Sequence, residues 1–196
     1  MKIISKKILT QDQGVKVTQI EVFAPIVAKK AEAGQFVALM VSEEGERIPL
    51  TVVNKDKNKG TITLIFQEAG LTTGLLGRLN PGDSLYALAG PLGHATEIKN
   101  YGKVILIGGG VGIAEIYPVA KALKEAGNHI VTILGARTKE LLILEKELRE
   151  VSDELLIATD DGSYGKKGFV TDILKQLLTC NPQPAVYNLV YAVGPI

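Results

Sequence analysis

Residues 103–123, KVILIGGGVGIAEIYPVAKAL, run an apolar strand into four glycines in five positions and then into a helix. A strand-to-helix turn built this way lets the backbone approach a ligand closely, while the helix start offers unpaired amides and the positive end of a dipole. The pattern is that of a phosphate-binding loop, with Gly109, Gly110, Val111 and Gly112 as its candidate contacts. Its spacing departs from the common dinucleotide fingerprint, because the third glycine counted from Gly108 and Gly110 would fall at Ile113. The next strand ends in Gly135-Ala136-Arg137 rather than in an acid, which disfavours an ordinary dinucleotide-binding dehydrogenase. The alternative is that the glycines only let a helix pack tightly on a sheet.

The chain around this loop has two rhythms. Up to about residue 98, stretches rich in β-branched residues (KIISKKIL, VKVTQIEVF, QFVALMVS, IPLTVVN, TITLIFQE, SLYALAG) alternate with turn signals such as QDQG, KDKNKG and NPGD. Six strands at this spacing predict an antiparallel barrel or sandwich, with one short helix near TTGLLGRL. From Tyr101 onward strands alternate with helical stretches (IAEIYPVAKALKEAG, LLILEKELREV, VTDILKQLL), which predicts a parallel sheet with right-handed crossovers. The expected domains are residues 1–98 and 99–196.

Composition excludes several classes. With 22 basic and 21 acidic residues among 196, the chain lacks the basic excess of a nucleic-acid binder. No apolar run reaches the roughly 20 residues of a membrane-spanning helix, and the start has no signal-peptide pattern, so the expected location is cytoplasmic. The single cysteine, Cys180, allows no intrachain disulfide and no cysteine-held metal site.

Within the first half, RIPLT sets Arg47 ahead of a proline and a threonine in an apolar strand, where a buried cation would need an anionic partner. EAGLTTGLL places Gly70, Thr72 and Thr73 at a helix start suited to phosphate. AGPLGH supplies glycines that leave the backbone open to a flat ligand. Taken singly, Arg47 reads equally as an edge-strand surface residue, Thr72 as a plain cap and GPLG as a linking turn.

In this order, the motifs AGQFV, RIPLTV, GPLGHATEI, IGGGVGIA, LGARTKELLILEKEL and ATDDGSYGKKGFVTDIL resemble the ferredoxin-NADP reductase superfamily over essentially the whole chain. They are most similar to its branch holding the electron-transfer subunit of dihydroorotate dehydrogenase and the small subunit of NADH-dependent ferredoxin:NADP oxidoreductase (sulfide dehydrogenase). The resemblance implies an FAD-binding β-barrel of ferredoxin-reductase type followed by an NAD(P)-binding α/β domain. It implies a flavoprotein moving a hydride between NAD(P)H and FAD, with single electrons passing to a second, iron-sulfur or flavin subunit. No catalytic acid or base is then required. Alternatives are a self-sufficient flavin reductase and a catalytically silent assembly subunit.

The same resemblance gives Arg47 to the flavin phosphates, Pro49 and Leu50 to the isoalloxazine and Thr51 to a flavin hydrogen bond. It gives Phe66, Gln67, Gly70, Thr72 and Thr73 to the ribityl and pyrophosphate, and Gly90, Pro91, Leu92 and Gly93 to the flavin's surroundings. Arg137, Asp160 and Asp161 fall along the pyridine-nucleotide site. Two departures stand out. Glu115 replaces a proline that relatives carry near the pyrophosphate. Relatives also continue past YAVGP into a segment whose four cysteines hold a 2Fe-2S cluster, which implies that this sequence is truncated at its C-terminus.

Overall fold

The computed structural model describes residues 1–179 and 186–194, and Cys180 lies outside them. The chain divides into two compact units, Met1–Thr96 and the residues from Glu97 onward.

In the first unit, strands β1 (Ile3–Asp12), β2 (Val15–Phe23), β5 (Asn54–Asp56) and β6 (Thr61–Gln67) form one antiparallel sheet in the order β1-β2-β6-β5. Strands β3 (Phe36–Met40), β4 (Ile48–Thr51) and β7 (Ala87–Leu92) form a second in the order β4-β3-β7. Both sheets feed one core by alternation, with Ile20 and Val22 from β2, Val37 and Leu39 from β3, and Ile62, Leu64 and Phe66 from β6 pointing inward. Helix α1 (Pro25–Lys30) adds Val27 and Ala28, and α2 (Leu71–Arg78) adds Leu76. Each of the Val, Leu, Ile and Phe side chains among them contributes about 1.5–3 kcal/mol on burial. Pro49 sits in β4, an edge strand, where its missing N–H costs no ladder bond.

In the second unit, β8 (Lys103–Gly109), β9 (His129–Ala136), β10 (Glu154–Thr159), β11 (Lys166–Lys167) and β12 (Leu189–Val193) form a parallel sheet in the order β11-β10-β9-β8-β12. The apolar run Val104–Ile107 is buried throughout because helices cover both faces. Helix α3 (Gly112–Glu125) lays down Ile113, Ile116, Ala120 and Leu123 at helical spacing, all fully buried. Helix α5 (Val170–Thr179) covers the other face through Ile173, which packs with Ile105, Ile107, Val131, Ile133 and Ala158.

Two sequence expectations change here. LLILEKELREV does not form one helix. Lys139–Leu141 is a 3₁₀ turn, Leu144 has φ +53°, and α4 covers only Glu145–Val151. A left-handed residue breaks the run, although the apolar spacing reads as continuous. The short elements α1, β5 and β11 were not expected, since stretches of two to six residues carry too little period to detect.

Candidate functional site

The C-terminal ends of the parallel strands form the first candidate site. The chain leaves β8 toward β9 on one side, and β12 lies on the other, so the strand order reverses at β8. A crevice opens at such a switch point, outside the carboxyl ends of the strands. The glycine run ends β8 there, and its members do different work. A Cβ on Gly108 would stand 2.8 Å from the Ile113 Cα and 2.9 Å from the Ile116 Cδ1, and one on Gly112 would stand 2.6 Å from the Val193 carbonyl oxygen. These two glycines permit close packing of α3 against β8 and β12, as the packing alternative holds. Gly110 differs: it has φ +56° and nothing within 4 Å of its Cβ position. Of Gly108, Gly110 and Gly112, Gly110 alone faces open space, and it does so in a conformation that β-branched residues resist.

The loop amides are unequally available. Gly110 donates to the Gly135 carbonyl at 2.9 Å, Ile113 to Gly110 at 3.2 Å and Ala114 to Val111 at 2.9 Å. Among the described residues, the amides of Val111 and Gly112 have no backbone partner, and they stand at the positive end of α3. Glu115 lies in the first turn of that helix, half-buried, with no hydrogen bond or ion pair among the described residues. Burial raises its carboxyl above the ordinary glutamate range.

Arg137 follows β9, exposed and without a side-chain partner among the described residues, as is Asp160 after β10. Asp161 is used locally. Its Oδ1 accepts the Ser163 amide at 2.9 Å and the Ser163 hydroxyl at 2.7 Å, bonds that hold its carboxyl below the usual aspartate range. Asp161 therefore shapes the DDGSYG turn, and its carboxylate is already engaged. Sequence reasoning missed Phe169. The Gly168 amide donates to Thr159 O at 3.1 Å, at the end of β10, and the Phe169 amide donates to Asp172 Oδ2 at 2.9 Å. Its backbone is fixed while its ring is 63% exposed beside the strand ends. An aromatic between a glycine and a helix start was the available signal.

The first unit holds the second candidate site. Arg47 is exposed and stands just before β4, so the premise of a buried cation within the strand is corrected. Its Nε reaches Met40 Sδ at 3.4 Å, and it makes no ion pair among the described residues. Pro49 is exposed, and Leu50 and Thr51 are half-buried along β4. Phe66 is only 2% exposed and packs in the core, so its ring cannot line a surface ligand. Gln67, at the end of β6, is half-buried.

Gly70 caps α2, and Thr73 Oγ1 accepts the amides of Ala69 at 3.2 Å and Gly70 at 3.0 Å. Thr72 is buried and its hydroxyl donates to Glu46 Oε2 at 3.1 Å. The amides of Leu71, Thr72 and Thr73 have no backbone partner among the described residues. The structure thus joins the residue next to Arg47 to the start of α2, which presents three amide donors.

The GPLG glycines serve packing rather than access. A Cβ on Gly90 would stand 2.7 Å from Val37 Cγ1, and one on Gly93 would stand 2.8 Å from the Phe36 ring. Pro91 is half-buried, and Leu92 and Gly93 are exposed. His94 is exposed as well.

Among the described residues, no group of three or more His, Cys, Asp or Glu side chains is arranged to hold a metal. No described helix is long and apolar enough to cross a membrane.

Residues 106–196 match the oxidoreductase NAD-binding domain family. The chain is 49% identical over 174 residues to the dihydroorotate dehydrogenase B (NAD(+)) electron transfer subunit homolog of Thermotoga maritima, covering 89% of this chain and 60% of that relative. It is 34% identical over 201 residues to the dihydroorotate dehydrogenase B (NAD(+)) electron transfer subunit of Geobacillus thermodenitrificans, covering all of this chain and 74% of the relative. A solved structure of NADH-dependent reduced ferredoxin-NADP oxidoreductase, studied for flavin-based electron bifurcation, superposes with a TM-score of 0.89 at 45% identity. That match covers 99% of this chain and 67% of the other. The chain thus spans about six-tenths of the length of the Thermotoga relative.

Proposed function

This chain belongs to the ferredoxin-reductase-type family that includes the electron-transfer subunits of dihydroorotate dehydrogenase B, and we propose that it works as such a subunit in the cytoplasm. In this reading Met1–Thr96 holds FAD, the residues from Glu97 onward hold NAD(H), and a partner redox subunit takes the electrons onward. NAD(H) is favoured because the dihydroorotate dehydrogenase B relatives are named for NAD(+). Bound FAD supplies the chemistry, taking two electrons and a proton as a hydride from the nicotinamide and releasing electrons singly.

The residues' work is binding and orientation. The observation that carries the reading is Gly110, left-handed and open, at the strand-order reversal beside the unpaired amides of Val111 and Gly112. That arrangement suits a pyrophosphate, and the exposed ring of Phe169 offers an aromatic face for the adenine. In the first unit the donor set fits a diphosphate: the Arg47 guanidinium, which has no ion-pair partner among the described residues, and the amides of Leu71 to Thr73. Thr51 supplies a hydroxyl, and β4 a backbone edge, for the flavin ring. The one cysteine among these 196 residues falls short of the four that a cysteine-held iron-sulfur cluster needs, so we assign no such cluster to them.

Arg47→Ala is expected to weaken FAD binding by about 1.5–3 kcal/mol, the range for a hydrogen bond to a charged group. Flavin-fluorescence titration of the apoprotein measures it. Equal affinity in mutant and parent would remove Arg47 from the phosphate site.

Glu115 supplies the argument for a silent role, because its carboxylate stands within one turn of the amides that an anionic ligand needs. Glu115→Gln is expected to tighten NADH binding several-fold at low ionic strength, with less gain at high salt, since such a pair is worth about 1 kcal/mol and is screened. Nucleotide phosphates would raise the Glu115 pKa further, so NADH binding takes up a proton and strengthens as pH falls through the titration of Glu115. The glutamine variant should lose that pH dependence. Unchanged or weaker binding by Glu115→Gln would place the side chain away from the phosphates.

A further inference from the structure

Glu46 belongs to none of the contacts just assigned, yet it holds two of them together. The segment between β3 and β4 contains a turn in which the Gly45 amide donates to Ser42 O at 3.0 Å. Its other side-chain ties run to its own sheet or close to it: Arg47 Nε to Met40 Sδ at 3.4 Å, and the Tyr86 hydroxyl to Glu43 Oε1 at 3.3 Å. Among the described residues, the side-chain hydrogen bond that ties this segment to α2 runs from Thr72 Oγ1 to Glu46 Oε2, at 3.1 Å across 26 positions of sequence. Thr72 is 8% exposed, so its hydroxyl has little access to water and needs this acceptor. Arg47 is the next residue in the chain, and the amides of Leu71 to Thr73 are the unpaired donors at the other end of the bond.

We propose that Glu46 is a positioning residue: its hydrogen bond from Thr72 fastens the Arg47 segment onto the first turn of α2, so that the guanidinium and three amides present one anion site to the FAD diphosphate. This rests on the flavin reading above. A carboxylate beside an anion site is electrostatically unfavourable for the ligand, so charge and hydrogen bond act in opposite directions at this residue. The two contributions separate by substitution. Glu46→Gln keeps an acceptor for Thr72 and removes the charge, whereas Glu46→Ala removes both.

The test titrates FAD into apoprotein at low salt and follows flavin fluorescence, beside denaturant unfolding without flavin. Glu46→Ala should bind FAD roughly five- to tenfold more weakly, the consequence of losing a bond of about 1 kcal/mol that pre-organises the site. Glu46→Gln should bind as tightly as the parent or up to several-fold more tightly and unfold at the parent's midpoint, while Glu46→Ala should unfold slightly earlier, because it leaves the Thr72 hydroxyl without its acceptor. Adding Thr72→Val to Glu46→Ala should bring little further loss, because both changes remove one bond. Tighter binding by Glu46→Ala would mean that the carboxylate competes with phosphate, and parental affinity would mean that the bond positions nothing. Failure of the alanine variant's first unit to fold, rather than this small shift, would make Glu46 a structural residue. Each of these overturns the proposal. A parent protein that takes up no FAD would remove the flavin reading itself and this inference with it.

Discussion

Gly110→Val is expected to lower NADH affinity by about a hundredfold or more while leaving FAD in place. Two effects add. The residue has φ +56°, where an L side chain costs roughly 1–2 kcal/mol and a β-branched one more. The open space at its Cβ position is also where the pyrophosphate is proposed to approach, and the branched side chain would fill it. A hundredfold loss corresponds to about 2.7 kcal/mol, which strain and exclusion together can supply. Gly112→Ala is the useful contrast. Its Cβ would press on the Val193 carbonyl at 2.6 Å, so it should destabilise the second unit before it touches ligand binding. Stopped-flow reduction by NADH reads the first variant and chemical denaturation the second. If Gly110→Val lost FAD and NADH equally, the two ligands would not occupy separate units.

The second large effect is on stability. Phe66→Ala is expected to destabilise the first unit by about 3–5 kcal/mol, the usual cost of removing a buried phenyl ring. Phe66 is 2% exposed and packs with Ile62, Leu64 and Leu76 between the two antiparallel sheets. Denaturant unfolding of the apoprotein measures the loss, which should be present without any flavin. A ring that touched FAD would behave oppositely: affinity would fall and apoprotein stability would hold.

Phe66 also shows where sequence stops being informative. TITLIFQ is apolar at most positions, and five of its seven residues are buried, so alternation cannot say which side chains face a ligand. Family likeness put Phe66 in a ligand-wrapping segment, whereas packing puts its ring inside and leaves only backbone to serve a ligand. The glycine run was more legible, because close approach and positive φ both demand glycine and the strand–helix context is local. Even there, the division of labour among Gly108, Gly110 and Gly112 came only from their neighbours in space. Arg47 read as a buried cation because RIPLT looks continuous with an apolar strand, but β4 starts one residue later and lies at a sheet edge. The Glu46–Thr72 bond had no sequence signal, since nothing local connects residues 26 positions apart. Gly90 and Gly93 were read as access for a ligand, although Val37 and Phe36 occupy the space that their missing side chains free.

The central claim is that one chain binds a flavin in its first unit and a reducing pyridine nucleotide in its second, and lets electrons pass between them. Anaerobic titration of the FAD-loaded protein with NADH, followed by the flavin's visible absorbance, tests it most directly. The account predicts that the flavin stays bound and bleaches in proportion to added NADH. A bound flavin whose absorbance is unchanged at saturating NADH would contradict it.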